Sequence, residues 1–329
     1  MEELHFPGLE EAIGLVEQAL SDTIAAADPF LAEVTGHLVH AGGKRLRPAL
    51  VVAAASVSGD VGSNVRAEVI QGGLAVELVH LGSLYHDDVI DDAEHRRGVE
   101  SVNARWGNLV AILAGDFLLA RASEIAAMLG SEVAALLART IGHLCEGEVS
   151  EFRYSFDPSR SEAAYLSSIS GKTASLMATS ARVGGIVSDA PRPWVDALTE
   201  YGHALGMTFQ IWDDVRDLVC SEEHLGKPAG HDMVEGTYTL PVLRALAVPG
   251  VGDDLRALLG GPLDPPARNK ARDLVLSTDA VASCIGEGRR WAEQANSSLN
   301  VLRQGGVCRE RLDVLGQVGH RLIDELDLS

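Results

Sequence analysis

The protein has 329 residues, and its 27 Lys and Arg against 47 Asp and Glu give a formal net charge of −20 at pH 7. Such an acidic chain is a poor partner for nucleic acid and for an anionic membrane surface, because both bind proteins through basic faces. Hydrophobic residues make up 46% of the chain and charged residues 22%, a balance that excludes a disordered protein and is typical of a globular one.

Apolar residues recur three and four positions apart through most of the chain, which is the spacing of a buried helical face. The pattern is present at residues 15–20, over the long segment 70–84 and again at 109–118. No segment shows the alternation and hairpin turns of a β-sheet, and aromatic residues are only 5% of the chain. The sequence therefore predicts an all-α fold, a bundle of about ten or more helices with short connections.

Clusters of Gly, Pro, Ser, Asn and Asp predict where the helices are connected. They lie at residues 60–64, 157–161, 189–193, 221–230 and 260–266. We expect one all-α domain over residues 1–329, with the helices after about residue 261 packed on the main bundle. The four cysteines lie far apart, the N-terminus lacks the basic start of a signal peptide, and no apolar stretch could span a membrane. These features predict a cytoplasmic protein without an integral membrane segment.

Two acidic clusters share the pattern Asp-Asp-x-x-Asp and each follows an apolar helical segment, where charge is costly unless it is paired or bound to metal. Their carboxylates belong to Asp87, Asp88, Asp91, Asp213, Asp214 and Asp217. In a helix the first and last carboxylates of the pattern lie on one face and repel each other. Mg²⁺ takes carboxylate oxygens together with water and substrate phosphates, so the clusters predict a magnesium–diphosphate site. A solvated acidic surface is the alternative.

The cations of this acidic chain are concentrated in a few short segments. Residues 42–48 place Lys44, Arg45 and Arg47 behind a glycine pair, and an Arg-Arg-Gly segment at 96–98 follows the first acidic cluster. Glycine lets backbone N–H groups approach a phosphate, and arginine offers a planar fork to its oxygens. Both segments therefore predict anion sites, with a loop carrying surface cations as the alternative.

Three further positions fit the same chemistry. Lys172 and Thr173 follow a glycine at a predicted helix break, and Lys227 lies in a Gly-Lys-Pro segment. His80 lies seven residues before Asp87, which is two helical turns back on the same face. A histidine that serves only the core is an equally good interpretation of His80 from spacing alone.

In their order and spacing, these motifs resemble those of the trans-polyprenyl diphosphate synthases. The resemblance extends from about residue 40 to residue 245 and rests on the segments 42–48, 86–91, 96–98, 115–119, 146–148, 172–173, 209–217, 226–228 and 239–241. It implies an all-α, isoprenoid-synthase-type bundle around a deep central cavity, usually as a homodimer. It also implies Mg²⁺-dependent ionisation of an allylic diphosphate (dimethylallyl, geranyl, farnesyl or geranylgeranyl), attack by isopentenyl diphosphate on the cation and loss of a proton.

The resemblance also implies roles for individual residues. The six aspartates would hold Mg²⁺, three ions in each active site. The residues matching an isopentenyl diphosphate site are Gly43, Lys44, Arg47, His80 and Arg97. Those matching an allylic diphosphate site are Arg96, Lys172 and Lys227. Thr173, Gln210 and Phe209 would line the path of the cation, and direct parts in catalysis are expected for Lys172, Thr173, Gln210, Asp87 and Asp213.

The sequence departs from the family at two positions. Many members carry a lysine where Thr237 follows Gly236, so one cation for a diphosphate is missing or replaced here. Asp92 directly follows the first acidic cluster, where Glu or Gly is common, and adds charge without an evident role.

Product length is predicted from the helix that leads into the first acidic cluster. In the family, an aromatic residue five positions before the first aspartate stops growth at the farnesyl length. Here that position is Gly82 and Ser83 follows it, so we expect an open shaft and a linear all-trans product of C20 or longer. Candidates for closing the shaft further on are Phe117, Leu118, Met128 and Leu144.

Two other functions stay open at this point. A class I terpene cyclase also ionises an allylic diphosphate, but its second metal motif is built around Asn, Ser or Thr, and Glu, whereas both motifs here are Asp-rich. A non-catalytic subunit of a heteromeric prenyl synthase usually loses one or both motifs, and both are intact in this chain.

Overall fold

The structure is a computed structural model that describes residues 8–25, 28–59, 65–220 and 228–327. Over these residues the chain is helical apart from one short hairpin, which confirms the all-α prediction. The first elements are α1 (Leu9–Ala25), α2 (Pro29–His40), α3 (Leu46–Ser56), α4 (Ala67–Ile90), the hairpin strands β1 (His95–Arg96) and β2 (Val99–Glu100), α5 (Val102–Trp106) and α6 (Asn108–Leu129).

The remaining elements include one π-helical turn between two α-helices. The helices are α7 (Ser131–Arg153), α8 (Glu162–Ile169), the π-turn Ser170–Ala174, α9 (Ser175–Val187), α10 (Arg192–Val219), α11 (His231–Val234), α12 (Leu240–Leu246), α13 (Val251–Arg256), α14 (Pro265–Leu276), α15 (Ala280–Ser298), α16 (Asn300–Gln304), α17 (Arg309–Asp324) and a terminal 3₁₀ turn (Glu325–Asp327). None of the described helices combines the length and the apolar composition that crossing a bilayer requires.

Residue contacts divide the chain into two compact units, each assembled from separate stretches of sequence. The first unit comprises Met1–Gly142, Leu176–Gly202 and Ser298–Leu315, and the second comprises His143–Ser175, His203–Ser297 and Gly316–Ser329. The single domain over residues 1–329 stays a prediction. The first acidic cluster and both basic segments belong to the first unit, whereas the second acidic cluster and the π-turn belong to the second.

Helix α4 forms the centre of the first unit and packs against α1, α3 and α6. Its side chains are apolar on all sides, as expected for a helix enclosed by others, and Leu74, Leu78 and Leu81 are fully buried. Near its end, the buried Tyr85 hydroxyl donates to the carbonyls of Val34 and Thr35 on α2, at 2.9 Å each. These contacts fix the end of α4, which carries the first acidic cluster.

The second unit is held by close helix packing and by one ion-pair group. A Cβ on Gly288 of α15 would lie 2.5 Å from Cδ1 of Ile323 on α17, so the glycine leaves room for this isoleucine side chain. Arg244 on α12 joins two other helices, because its Nη2 lies 3.2 Å from Glu162 on α8 and 3.3 Å from Glu287 on α15. The same Cβ on Gly288 would lie 3.6 Å from Cγ2 of Ile211 on α10, the helix that carries the second acidic cluster.

Candidate active site

The first acidic cluster occupies the last turn of α4, and its three carboxylates face different surroundings. Asp91 is exposed, Asp87 is half-buried and Asp88 is fully buried. Asp88 accepts a 2.6 Å hydrogen bond from Arg96 Nε through Oδ1, while its buried Oδ2 has no hydrogen-bond partner among the described residues. Burial raises the pKa of Asp88, and the Arg96 guanidinium partly opposes this shift. Arg96, expected at the allylic diphosphate, is thus bonded to an aspartate of the cluster.

A group of arginines lies beside the cluster in the same unit. Arg97 has a left-handed backbone (φ +55°) in the turn of the hairpin. Its Nη1 donates to the carbonyl of Leu38, at 3.1 Å, and to that of Gly42. A Cβ on Gly43 would lie 3.0 Å from the Arg97 guanidinium, so the glycine lets this side chain pack on the loop. The structure therefore joins the two basic segments that the sequence singled out.

His80 and Arg47 belong to this basic group, whereas Lys44 is exposed on the same loop. Burial holds the pKa of His80 well below its usual 6.5, and the charges of Arg47 and Arg97 lower it further, so its imidazole is neutral at pH 7. Burial lowers the pKa of Arg47 to about 10, with the carboxylates of Glu77 and Asp87 opposing the shift. The buried Nε of Arg47 has no hydrogen-bond partner among the described residues. The half-buried guanidinium of Arg47, with this Nε–H donor, therefore suits an anionic ligand.

In the second unit, the π-turn carries Lys172 and Thr173 and lies directly against α7. A Cβ on Gly147 would lie 2.5 Å from the Lys172 backbone nitrogen, and one on Gly171 would lie 2.8 Å from the His143 carbonyl oxygen. These two glycines allow the backbones to touch, which explains the glycine at the centre of the 146–148 motif. π-turns of this kind are frequent at functional sites.

Lys172 is half-buried and already engaged by two carboxylates of α7. Its Nζ lies 2.8 Å from Glu148 Oε2 and 2.6 Å from Glu151 Oε1. Lys172, which the sequence predicts to bind a diphosphate, is therefore paired with two glutamates in the structure. Glu148 belongs to a motif quoted from the sequence, but nothing in the sequence marks Glu151 as a partner.

A chain of hydrogen bonds leads from the π-turn to the second acidic cluster. Thr173 Oγ1 donates to Gln210 Oε1 at 2.7 Å, and Gln210 Nε2 donates to Asp214 Oδ1 at 2.8 Å. The Tyr165 hydroxyl donates to the other oxygen of Asp214. Burial raises the pKa of Asp214 well above its usual range, and the nearby Asp232 raises it further. Tyr165 has no motif around it in the sequence, so its part could not be found there.

The carboxylates of the second cluster also differ from one another in burial. Asp213 is exposed, whereas Asp214 is buried with hydrogen bonds to both of its oxygens. Asp217 is also buried, and its Oδ2 accepts from the backbone N–H of Asp232 at 3.3 Å. The sequence treats all six aspartates as equivalent metal ligands. In the structure, Asp88 and Asp214 are buried and accept hydrogen bonds from side chains of the same unit.

The donor atoms fit a hard divalent cation, since they are carboxylate oxygens and Asp88 has an unused buried one. No group of three or more His, Cys, Asp or Glu side chains within the described segments is already arranged to hold a metal ion. Mg²⁺ needs fewer protein ligands than that, because it keeps several waters and binds substrate phosphates. The residues present are therefore compatible with a metal ion that arrives together with a diphosphate.

The remaining predicted site residues fall in different places. Phe209 is half-buried, with its ring centroid 5.4 Å from that of Trp212. Lys227 lies outside the described residues. Met128 is 76% exposed and cannot close an interior shaft within this chain, whereas Leu118 is fully buried on α6.

The structure changes the physical interpretation of Gly82. The sequence suggests open space at this position, but Gly82 packs against α6. A Cβ there would lie 3.0 Å from Leu119 Cγ and 3.1 Å from the Gly115 carbonyl oxygen. Ser83 is half-buried and donates to the His80 carbonyl at 2.9 Å, and Phe117 is half-buried on α6. The small residue at 82 therefore lets two helices approach, and Leu119 occupies the space beside it.

Comparison with known proteins agrees with this arrangement. The sequence model of a family described as Polyprenyl synthetase matches residues 28–267, which include both acidic clusters and both basic segments. A nonaprenyl diphosphate synthase from Mycobacterium tuberculosis is 39% identical over 292 residues, covering 88% of this chain and 86% of the relative. A protein named heptaprenyl diphosphate synthase component 2, from Bacillus subtilis, is 33% identical over 314 residues, covering 95% of this chain and 89% of the relative.

Solved structures give the same result. The crystal structure of a geranylgeranyl pyrophosphate synthase from Corynebacterium glutamicum, complexed with calcium and isoprenyl diphosphate, has a TM-score of 0.84 to this chain. Its sequence is 34% identical, and the match covers 97% of this chain and 96% of that one.

Proposed function

The chain belongs to the polyprenyl synthetase family, and on this basis we propose that it is a trans-prenyltransferase that condenses isopentenyl diphosphate with an allylic diphosphate. The observation that carries the proposal is the basic group of the first unit. The charges of Arg47 and Arg97 lower the pKa of His80, so the three side chains are close to one another. The carboxylate of Asp87 is close to Arg47 and partly opposes the lowering of the arginine's pKa by burial. Cations for an anion and a carboxylate for a metal ion are therefore neighbours.

Isopentenyl diphosphate binds to the cations of the first unit in this proposal. Arg47 and Arg97 offer guanidinium donors and the exposed Lys44 adds a third charge, while Gly43 keeps the loop close to Arg97. The neutral imidazole of His80 can donate one hydrogen bond to a phosphate oxygen without adding charge. Asp87 and Asp91, four residues apart at the end of α4, are the more accessible first-unit carboxylates proposed to hold Mg²⁺, together with Oδ2 of Asp88, which accepts no hydrogen bond from the described residues.

The second unit supplies the groups that act on the allylic substrate. Asp213 and Asp217 are the proposed metal ligands, with Asp214 fixed behind them by Tyr165 and Gln210. Lys172 and Lys227 are assigned to the allylic diphosphate by the family resemblance. Thr173 and Gln210 present oxygen dipoles toward the developing allylic cation, and the ring of Phe209 adds a π face. Three bound Mg²⁺ ions would neutralise the charge that develops on the leaving diphosphate.

The proposed product is a linear all-trans polyprenyl diphosphate of C20 or longer. Gly82 and Ser83 place no aromatic ring five or four positions before Asp87. The products named for the three proteins compared above range from geranylgeranyl to nonaprenyl diphosphate, which supports the same lower limit. Four free thiols among the described residues support a reducing compartment, so we place the enzyme in the cytoplasm.

The test is to incubate the purified chain with Mg²⁺, isopentenyl diphosphate and farnesyl diphosphate and to identify the products by mass. A ladder of linear diphosphates is expected. Asp87→Asn should reduce turnover by about a hundredfold or more, because it removes a charge from the metal site. Asp92→Asn is the matched control, since Asp92 is exposed and its left-handed backbone (φ +51°) suits asparagine. Cyclic hydrocarbons would favour a terpene cyclase instead.

A homodimer is the proposed assembly, formed through α6. Leu109, Ile112 and Leu113 lie three and four residues apart on this helix and are 71%, 41% and 56% exposed. Together they form an exposed apolar stripe, which is typical of an interaction surface. A component of a heteromeric synthase is the second candidate, favoured by the name of the Bacillus subtilis relative, heptaprenyl diphosphate synthase component 2. Turnover by the chain alone would exclude an obligate second protein, and turnover only after adding a second protein would support the heteromer.

A further inference from the structure

We propose that Glu77 is a positioning residue of the isopentenyl diphosphate site and acts by holding Arg45, which fixes the loop that carries Lys44 and Arg47. The sequence assigns no role to Glu77 and groups Arg45 only generally with the cations of an anion site. The inference rests on the proposed function, because it concerns the same anion site.

Glu77 is a buried carboxylate on an otherwise apolar stretch of α4, one turn before His80, and is 1% exposed. Its Oε1 accepts a 2.8 Å hydrogen bond from Arg45 Nη1. Arg45 is itself buried, and its Nη2 donates to the Val39 carbonyl at 3.2 Å. Its Nε lies 3.3 Å from Glu17 of α1, whose side chain is 53% exposed. One guanidinium thus joins the loop to α1, α2 and α4.

The backbone at Arg45 needs such an anchor. Arg45 is the residue before α3 and has a left-handed conformation (φ +48°), which is disfavoured for side chains other than glycine. No side chain caps the start of α3. With the Arg45 side chain directed into the core, its neighbour Lys44 is exposed and Arg47 lies in the first turn of α3, near His80. The buried pair therefore sets the direction of both ligand-binding cations.

Glu77 also acts as a counter-charge within the basic group. Its carboxylate opposes the lowering of the pKa of both Arg47 and Arg97. Four arginines act together on His80, and like charges held this close repel one another before a ligand arrives. A buried carboxylate reduces that repulsion and lets the site keep its shape when it is empty.

A purely structural ion pair would behave differently, and the two roles can be separated. Replacing both members of a buried pair with apolar residues of similar size is often neutral or stabilising, whereas removing one member leaves a buried charge without compensation. The double variant R45M/E77L should therefore keep a melting temperature close to that of the wild type. If the pair positions the loop, this stable variant should still bind isopentenyl diphosphate weakly.

The experiment measures the affinity for isopentenyl diphosphate by calorimetry, and both KM values by kinetics with farnesyl diphosphate as co-substrate. For Glu77→Gln and for R45M/E77L, we expect the Kd and KM of isopentenyl diphosphate to rise about tenfold or more, with the KM of farnesyl diphosphate within about twofold. Glu77→Asp should recover part of the loss. Glu17→Gln is the matched control, because this exposed carboxylate contacts the same arginine and its loss should leave both constants within about twofold.

An unchanged or tighter affinity for isopentenyl diphosphate in Glu77→Gln would overturn the inference, since tighter binding is what removal of a negative charge alone produces. Equal rises in both KM values together with a lower melting temperature, or normal affinity in R45M/E77L, would also overturn it. Wild-type protein that neither binds nor consumes isopentenyl diphosphate would instead refute the proposed function. Wild-type activity with an unaffected Glu77→Gln variant would refute this inference alone.

Discussion

Adjacent aspartates on a helix point about 100° apart, so the two members of each Asp-Asp pair meet different surroundings. Asp213 is exposed, while Asp214 lies under it with Tyr165 and Gln210 as hydrogen-bond donors. The buried member cannot turn outward without leaving two donors unpaired. The hydrogen bonds of Asp214 therefore fix the helical turn that carries the exposed Asp213.

Substituting Tyr165→Phe tests this fixing role. The change leaves one buried oxygen of Asp214 without its donor, which should lower the free energy of unfolding by about 1–3 kcal/mol. We also expect a higher Mg²⁺ concentration for half-maximal activity. Tyr201→Phe is the control, since that buried hydroxyl donates to the Leu315 carbonyl at 2.8 Å in the first unit. A similar loss of stability without a change in Mg²⁺ dependence is expected there, and identical Mg²⁺ curves for all three proteins would contradict the role.

The lowered pKa of His80 should make the protein less stable as the pH falls below neutrality. Its folded pKa lies below its unfolded value of about 6.5, so the unfolded state binds the extra proton between these values. The contribution of the neutral His80 to the free energy of unfolding is complete above pH 6.5. It is lost as the pH falls below 6.5, by at most about 1.4 kcal/mol per pH unit. Melting temperatures from pH 8 to pH 5 should therefore fall less steeply in His80→Gln than in the wild type. The exposed His95→Gln should follow the wild type, and parallel curves for all three would refute the assignment.

At the scale of elements, the contact between α7 and the π-turn is the tightest feature of the second unit's site. Gly147→Ala places a methyl group 2.5 Å from the Lys172 nitrogen, so the turn must move. We expect a loss of about 1–3 kcal/mol in stability and at least a tenfold fall in kcat/KM. Gly142→Ala on the same helix has nothing within 4 Å and should be neutral or slightly stabilising. Wild-type kinetics in Gly147→Ala would show that the turn tolerates displacement.

The contact between α4 and α6 gives a prediction for product length. Leu119→Ala removes volume beside Gly82 and should shift the product ladder toward longer chains. Gly82→Tyr should shorten the products and also lower the melting temperature, because the ring must displace Leu119. Ser123→Ala, an exposed change one turn along α6, is the control. Unchanged ladders in both Gly82→Tyr and Leu119→Ala would exclude this contact as a determinant of chain length.

Sequence periodicity predicts these helices well, because burial imposes the same spacing on every amphipathic element. The motifs also identify Arg47, His80 and Arg97 as partners before their proximity is known. The sequence could not distinguish Asp87 from Asp88, since inward and outward directions depend on the rotation of the helix end. Glu77 and Tyr165 are single residues without a motif, and their partners lie 32 and 49 positions away in the chain. Such long-range pairs are properties of the packing, which one sequence does not display.

At the scale of the whole molecule, the exposed stripe on α6 predicts the oligomeric state. The double variant L109D/L113D places two charges on the stripe and should convert the protein to a monomer of 34.8 kDa in size-exclusion chromatography with light scattering. Leu15→Asp is the control, because Leu15 is a 48% exposed leucine on α1. A wild type that is already monomeric would contradict the proposed homodimer.

The left-handed conformations at Arg45 and Arg97 have a consequence for engineering. A stability library would normally place Gly or Asn at such positions, since these residues relieve the strain. Here the relief would remove the side chains that shape the anion site, so the most thermostable members of such a library would be poor enzymes. Asp189 has a similar backbone (φ +57°), and its exposed ion pair with Arg66 contributes little. A library that keeps residues 45 and 97 fixed and varies residue 189 should gain stability without loss of turnover.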